Sequence, residues 1–249
     1  MNKIYAARPS IDKKDIDHVI DAVKNGWNDK RDYYLKKLSL KFSKYVGRKY
    51  SIPLSSGTAA IHLALIGIGI KKNDEVIVPD FTWTASASPI TYLGAKPVFC
   101  DVDRNTLCLR VKDIQKCITK KTKAVIVVDL YGGSPDWSEI INFCKKKNIK
   151  IIEDSAESLG AYYKNKPIGS FGEISIFSFQ ATKILSSGLG GMLSTNNKTL
   201  YTKWLLYHHH GINKNSDKYY WSNDVGFNYQ MTNMQAALVL SQLNKIKKL

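Results

Sequence analysis

Residues 123–156 read KAVIVVDLYGGSPDWSEIINFCKKKNIKIIEDSA. The opening KAVIVVDLYG is a β-branched apolar run and predicts a strand. PDWSEIINFCKKKN predicts a helix, and IKIIEDSA returns to a strand. Strand, helix and strand in this order make a βαβ unit, so the sheet is at least partly parallel. Open sheets of this kind bind ligands beyond the carboxyl ends of their strands. EDSAESLG, just past the strand of residues 149–152, therefore lies where chemistry is expected.

Working outward, Ile16, Val19, Ile20 and Val23 fall at helical spacing over residues 15–23, and Asn25-Gly26 ends that helix. A second amphipathic helix is predicted over residues 38–46, ending at Gly47. SGTAAIHLALIGIGI, from Ser56, is apolar on nearly every side and reads as a buried helix. DEVIVPD, KPVFCDVD, ISIFSF and GGMLST read as further strands. TNMQAALVLSQLNKIKKL reads as an amphipathic helix running to the last residue. There is no internal repeat, linker or composition shift, so the expected class is α/β in one unit.

The chain has 249 residues, 44% of them hydrophobic, which suits a globular protein with a core. No apolar run reaches the roughly 18 residues of a membrane span. MNKIYAARPSIDKKD lacks the apolar region of a secretory signal. Cys100, Cys108, Cys117 and Cys144 contain no CxxC pair. They read as thiols of a reducing compartment, which places the protein in the cytoplasm without a zinc site. The net charge of +16 suits anionic partners: nucleic acid, a membrane surface or a phosphorylated small molecule. Lysine far outnumbers arginine and is scattered, as in KKN and NKNSDK, which favours compositional drift over a phosphate-reading surface. His208, His209 and His210 are adjacent, so their side chains diverge and no metal site is expected.

Four elements carry chemistry. Lys183 lies in SIFSFQATKILSSGLGG, between an apolar run and a glycine-rich turn. A lysine is nucleophilic only when neutral, and apolar surroundings favour that form and Schiff-base chemistry; the alternative is an ordinary surface lysine near glycines. Asp154 stands at a predicted strand end; it reads either as the partner of a pyridine nitrogen or as the N-cap of a following helix. SSGTAA opens the buried helix, with Gly57 and Thr58 at an anion-binding N-terminus and Ser178 as a further hydroxyl; the alternative is an ordinary serine cap. Trp83, in PDFTWTAS, reads either as a stacking ring or as core. Together these features fit pyridoxal 5′-phosphate.

SGTAAIHLAL, DEVIVPDFTWTASASPI, GAKPVFCDVD, IIEDSAESLGAYYKNKPIGSFGEISIFSF, TKILSSGLGGML, HHGIN and GFNYQMTNMQAALVLSQL occur in that order along nearly the whole chain. In this the sequence resembles the sugar-nucleotide aminotransferases of the DegT–DnrJ–StrS group, which are fold-type I pyridoxal-phosphate enzymes. The resemblance implies a large cofactor-binding domain over residues 1–249, with a mostly parallel mixed sheet, stopping in the helix that leads to a small domain. It implies that Lys183 carries the cofactor and shuttles the substrate proton, and that Asp154 pairs with the pyridine nitrogen. Trp83 and Ala156 would flank the ring, and Gly57, Thr58 and Ser178 would hold the phosphate. Glu157 would stand near the 3-hydroxyl, where glutamine is frequent, and Asn228 would reach the phosphate of a neighbouring subunit, which implies a homodimer. The implied reaction moves an amino group from glutamate to a nucleotide-linked keto sugar, giving a 4-amino-4,6-dideoxy sugar such as perosamine or viosamine. A dehydrating branch carries histidine at the lysine position, and Lys183 argues against it. Leu189 and Gln230 replace a usual acid and arginine, and NGWNDKRDYYLKKL lacks a usual glycine. The competing expectations are a catalytically impaired relative that binds or regulates, and a pyridoxal-phosphate enzyme of elimination or dehydration.

Overall fold

The computed structural model describes residues 9–213 and 221–249. The first eight residues and the lysines at 214 and 218 lie outside the described residues. The helices in chain order are α1 (Lys13–Asn25), α2 (Tyr33–Tyr45), α3 (Gly57–Gly67), α4 (Ser88–Tyr92), α5 (Val111–Cys117), α6 (Trp137–Lys147), α7 (Lys198–Tyr207) and α8 (Asn233–Asn244). The strands are β1 (Tyr50–Leu54), β2 (Glu75–Pro79), β3 (Lys96–Cys100), β4 (Thr122–Val128), β5 (Lys150–Asp154), β6 (Tyr162–Tyr163), β7 (Lys166–Pro167), β8 (Ile174–Ser178) and β9 (Gly191–Thr195).

The expected crossover is β4–α6–β5. Its strands pair in parallel from Ala124 opposite Lys150 to Val128 opposite Asp154. Asp136 caps α6 by accepting the Glu139 N–H, and Asn148 ends it in the left-handed conformation at φ 54°. Trp137, Ile140 and Cys144, at helical spacing, turn one face of α6 onto the sheet and are fully buried. Each large apolar side chain buried in this way contributes about 1.5–3 kcal/mol.

Seven strands form one sheet in the order β1-β9-β8-β5-β4-β2-β3. The pairs from β8 through β5, β4 and β2 to β3 are parallel, while β9 runs antiparallel to both β8 and β1. Helix α3 supplies Ala60, Ile61, Leu63, Ala64 and Leu65 to the core on one face, where Trp204 of α7 also packs. Helices α2 and α8 enclose a second core around Phe177 and Phe179, and α6 covers a third around Val125 and Val127. The α/β class and the mixed, mostly parallel sheet are as the sequence predicts.

Several local expectations are corrected. Helix α2 starts at Tyr33, five residues earlier than expected. In α1 the stripe Ile16, Ile20 and Val23 faces solvent at 44–51% exposure, while Asp15 and Ala22 are buried. Helix α8 is buried on several sides, through Ala236, Ala237, Val239, Leu240 and Leu243, and gives way at Lys245 to a short 3₁₀ turn. Strand β1, unpredicted because Pro53 interrupts it, lies at the sheet edge, where a missing N–H is tolerated.

Candidate active site

The carboxyl end of β8 lies against the N-terminus of α3, with β5 paired beside it. Asp154, the last residue of β5, is buried. The Ser86 hydroxyl donates to its Oδ2 at 2.8 Å, and the Ala156 N–H donates to its Oδ1 at 3.2 Å. Residues 156–160 form a turn and no helix follows directly, so the N-cap reading does not hold. Burial pushes the Asp154 pKa up, opposed by the two donors and by the Lys183 cation. A carboxylate in this position is held charged best by a cationic donor.

Lys183 lies in the loop joining β8 to β9, where its N–H donates to the Gln180 carbonyl at 2.9 Å. Gly188 and Gly190 turn that loop with positive φ, and Phe179 pairs across it with the Gly190 carbonyl. The Lys183 ammonium donates to Glu157 Oε1 at 2.9 Å. Both side chains are largely shielded, at 19% and 25% exposure. The second oxygen, Glu157 Oε2, is buried and has no hydrogen-bond partner among the described residues. Glu157 follows Asp154 by three residues, and the Lys183 charge acts on Asp154, so the three groups share one site.

The third feature is the α3 N-terminus. Ser56 caps it, its hydroxyl accepting the Ala59 N–H at 3.0 Å. The cap reading is therefore correct, and it leaves the Gly57 and Thr58 N–H groups with no acceptor among the described residues. A Cβ on Gly57 would lie 3.3 Å from Ser178 Cβ, which puts the end of β8 against this helix start. A Cβ on Gly191 would press on the Ser56 carbonyl and lie 2.7 Å from the Gly57 nitrogen. Glycine at 191 thus lets β9 pass under the cradle.

Trp83 is 74% exposed, so the core reading fails. Its carbonyl accepts the Ser86 N–H at 2.9 Å, which ties the indole-bearing turn to the residue that bonds Asp154. Asn228 is exposed. The next residue, Tyr229, accepts the Ser55 N–H at 2.8 Å, so this stretch borders the cradle. Among the described residues no hydrogen bond joins the Asn228 side chain to Lys183 or Asp154. His208 is buried, with Nδ1 3.0 Å from both the Trp204 and Leu205 carbonyls of α7. Among the described residues no group of three or more His, Cys, Asp or Glu is placed to hold a metal.

Two site residues escape the sequence reading. Ser86 stands inside PDFTWTAS, three residues past Trp83, and only the fold shows that its hydroxyl reaches Asp154. Asp129 follows β4 and is fully buried, accepting from Trp137 Nε1 at 3.2 Å and from the Ser155 hydroxyl at 3.1 Å. Burial and the nearby Glu153 push its pKa well up. An acid directly after VIVV was the available signal. A ligand matching this site is flat, anionic at one end and a cationic N–H donor at the other, with a hydroxyl and a group reactive toward an amine.

The DegT/DnrJ/EryC1/StrS aminotransferase family model matches residues 9–249. The chain belongs to this family. It is 41% identical to the GDP-perosamine synthase of Escherichia coli O157:H7 over 245 residues, covering 98% of this chain and 67% of that one. An X-ray structure of the aminotransferase from Psychrobacter cryohalolentis superposes with a TM-score of 0.92 at 32% identity, covering 98% of this chain and 65% of that one. The PLP-form of the putative sugar aminotransferase Spr1654 from Streptococcus pneumoniae gives 0.91 at 31% identity, covering 100% and 68%. The chain thus spans about two thirds of the length of these relatives, within a family of pyridoxal-phosphate-dependent sugar aminotransferases.

Proposed function

We propose that this chain is the large, cofactor-binding domain of a cytoplasmic aminotransferase. It binds pyridoxal 5′-phosphate and transfers an amino group from glutamate to a nucleotide-linked 4-keto-6-deoxy sugar. The observation that carries the reading is the shielded Lys183 beside Glu157, within electrostatic reach of the buried, doubly bonded Asp154. The relatedness to a GDP-perosamine synthase supports a GDP-linked sugar as substrate. Four free thiols suit a reducing cytoplasm.

The residues fit the cofactor. Asp154 would hold a proton on the pyridine nitrogen, where a cation relieves the burial of its own charge. Gly57 and Thr58 would bind the phosphate with unpaired N–H groups, joined by the Ser178 hydroxyl. Trp83 would cover one ring face and exclude water, with Ala156 beneath the other. Glu157 Oε2 would accept the ring hydroxyl. Lys183 would anchor the cofactor and then carry the proton at the substrate carbon. Asn228, exposed at the edge of the cradle, would serve the partner's site in a homodimer. When bound, pyridoxal phosphate supplies the electron sink that transamination requires.

The test supplies the protein with pyridoxal phosphate, glutamate and a GDP-linked 4-keto-6-deoxy sugar, and follows the amino sugar by mass spectrometry. Borohydride trapping separately reports covalent attachment, which Lys183→Ala should abolish. Equal trapping in wild type and variant would remove Lys183 from its role. Sugar dehydration without amine incorporation would assign the elimination chemistry instead.

A further inference from the structure

We infer that Tyr131 contacts the sugar ring of the nucleotide-linked substrate. The inference rests on the reading of the site just given and adds a sugar-binding residue to it. Tyr131 stands in the turn after β4 at φ 52° and ψ 30°, inside the left-handed region. A side chain with a Cβ is disfavoured there, and a bulky one most of all. Among the described residues, the four asparagines and His210 at positive φ are of types that tolerate it. Lys164 sits in the two-residue turn between β6 and β7, and Leu107 packs against a core cluster. Neither explanation serves Tyr131. It is 74% exposed and belongs to none of the three cores. Its hydroxyl makes no hydrogen bond and its ring no aromatic contact among the described residues. The fold holds this residue at a cost and gains no packing from it. Strain kept without such a return marks a ligand contact more often than a structural one.

The turn is pinned at both ends, so the conformation is imposed. Asp129 is fully buried, and its N–H donates to the Asp154 carbonyl at 3.0 Å. Its carboxyl accepts from Trp137 and from Ser155. Leu130 is buried in the core, and the Gly133 N–H closes onto the Leu130 carbonyl at 2.8 Å. A Cβ on Gly133 would lie 2.9 Å from that carbonyl and 3.3 Å from the carbonyl of Thr106. Tyr131 leaves the left-handed region only by breaking these contacts.

Place decides the ligand. The order β5-β4-β2 sets β4 between the strand that ends at Asp154 and the strand that leads to Trp83. Both of those residues are assigned to the cofactor ring. Tyr131 follows by three residues Val128, which lies opposite Asp154. A side chain on this turn therefore borders the place where the keto carbon must meet the cofactor. That carbon belongs to the sugar, while the base lies beyond the phosphates. A phenol suits a sugar: its ring faces cover apolar C–H surface, and its O–H bonds a sugar oxygen. It offers a diphosphate no cation.

The experiment compares wild type with Tyr131→Gly by calorimetry on three separate probes: a GDP-linked 4-keto-6-deoxy sugar, GDP, and pyridoxine 5′-phosphate. The sugar nucleotide should bind about tenfold more weakly, the scale of one well-placed aromatic contact. The affinities for GDP and for pyridoxine 5′-phosphate should stay within about twofold of wild type. Tm should rise by about 2–4 °C, because glycine relieves the left-handed strain. Tyr131→Asn, whose residue type also tolerates this conformation, should repeat the pattern if the glycine variant does not fold. An unchanged affinity for the sugar nucleotide would overturn the inference, as would an equal loss for GDP. A lower Tm in both variants would show that Tyr131 serves the fold and would overturn it too. If wild type binds pyridoxine 5′-phosphate but not the sugar nucleotide, the inference falls and the cofactor reading stands. If it does not bind pyridoxine 5′-phosphate, the cofactor reading itself fails and takes the inference with it.

Discussion

Replacing Arg48 by methionine tests the element that holds the site from below. The Arg48 side chain is 4% exposed and that of Glu153 is fully buried, with Nη2 3.3 Å from Oε2. Arg48 also donates to the Gly169 carbonyl at 2.7 Å and to the Gly172 carbonyl at 2.6 Å. Glu153 accepts from the N–H groups of Gly169, Phe171 and Gly172, so the pair pins the loop between β7 and β8. Burial lowers the Arg48 pKa and raises that of Glu153 even with the partner present, so desolvation outweighs their attraction. The pair is therefore costly to break rather than strongly stabilising as a whole. Methionine fills much of the volume but leaves Glu153 without its cation, a loss of about 3–5 kcal/mol. In a chain of this size that lowers Tm by roughly 6–20 °C.

The pH dependence gives the sharper check. An acid whose folded pKa is raised contributes stability that is full below its unfolded pKa and lost as pH rises through the folded one. Without Arg48 the Glu153 pKa climbs further, so the variant is most impaired near about pH 8 and recovers toward about pH 5, by about 1.4 kcal/mol per unit of added shift. Urea unfolding at both values measures this. A loss below about 1 kcal/mol at the higher pH, or an equal loss at both, would refute the counter-ion argument.

Two further variants separate binding from folding. Gly191→Ala sets a methyl against the Ser56 carbonyl and 2.7 Å from the Gly57 nitrogen, backbone atoms that yield only by moving the cradle. Calorimetry should show the affinity for pyridoxine 5′-phosphate falling about tenfold or more, roughly 1.4 kcal/mol, and an unchanged affinity would mean the cradle binds no phosphate. Trp83→Ala removes a ring that is 74% exposed, so urea unfolding should shift by no more than about 0.5 kcal/mol while cofactor affinity weakens. A loss of about 3–5 kcal/mol would instead mark a core tryptophan.

What was legible in the sequence follows from how locally each feature is specified. The β4–α6–β5 unit was readable because uninterrupted apolar runs frame a helix with its own cap and stop. Strand β1 was not, since five residues with a proline at the fourth become a strand only by pairing with β9. The outward stripe of α1 misled for a related reason. Which face of a helix is buried depends on its neighbour, and α8 packs on the side of Asp15 and Ala22. At the site, Lys183, Asp154 and Gly57 stand in local frames that reveal them. Ser86 and Asp129 matter only through partners distant in the chain: Asp154 lies 68 residues from Ser86, and Ser155 lies 26 from Asp129.

The counter-ions explain why the chemistry concentrates at β5. Asp129, Glu153 and Asp154 are all buried within two adjacent strand ends, and burial raises the pKa of each. Three anions this close cannot all stay ionised without cations. Arg48 serves Glu153 directly. Asp129 receives only the neutral donors Trp137 and Ser155, and its strongly raised pKa favours the protonated form. Asp154 is left with two neutral donors and the through-space influence of Lys183, whose ammonium is bonded to Glu157 instead. Of the three it is the acid whose environment improves most when a cationic N–H arrives from a ligand. The sheet thus carries one satisfied carboxylate, one favoured as neutral, and one waiting for a positive partner. That asymmetry is the physical support for proposing Asp154 as the partner of a pyridinium nitrogen.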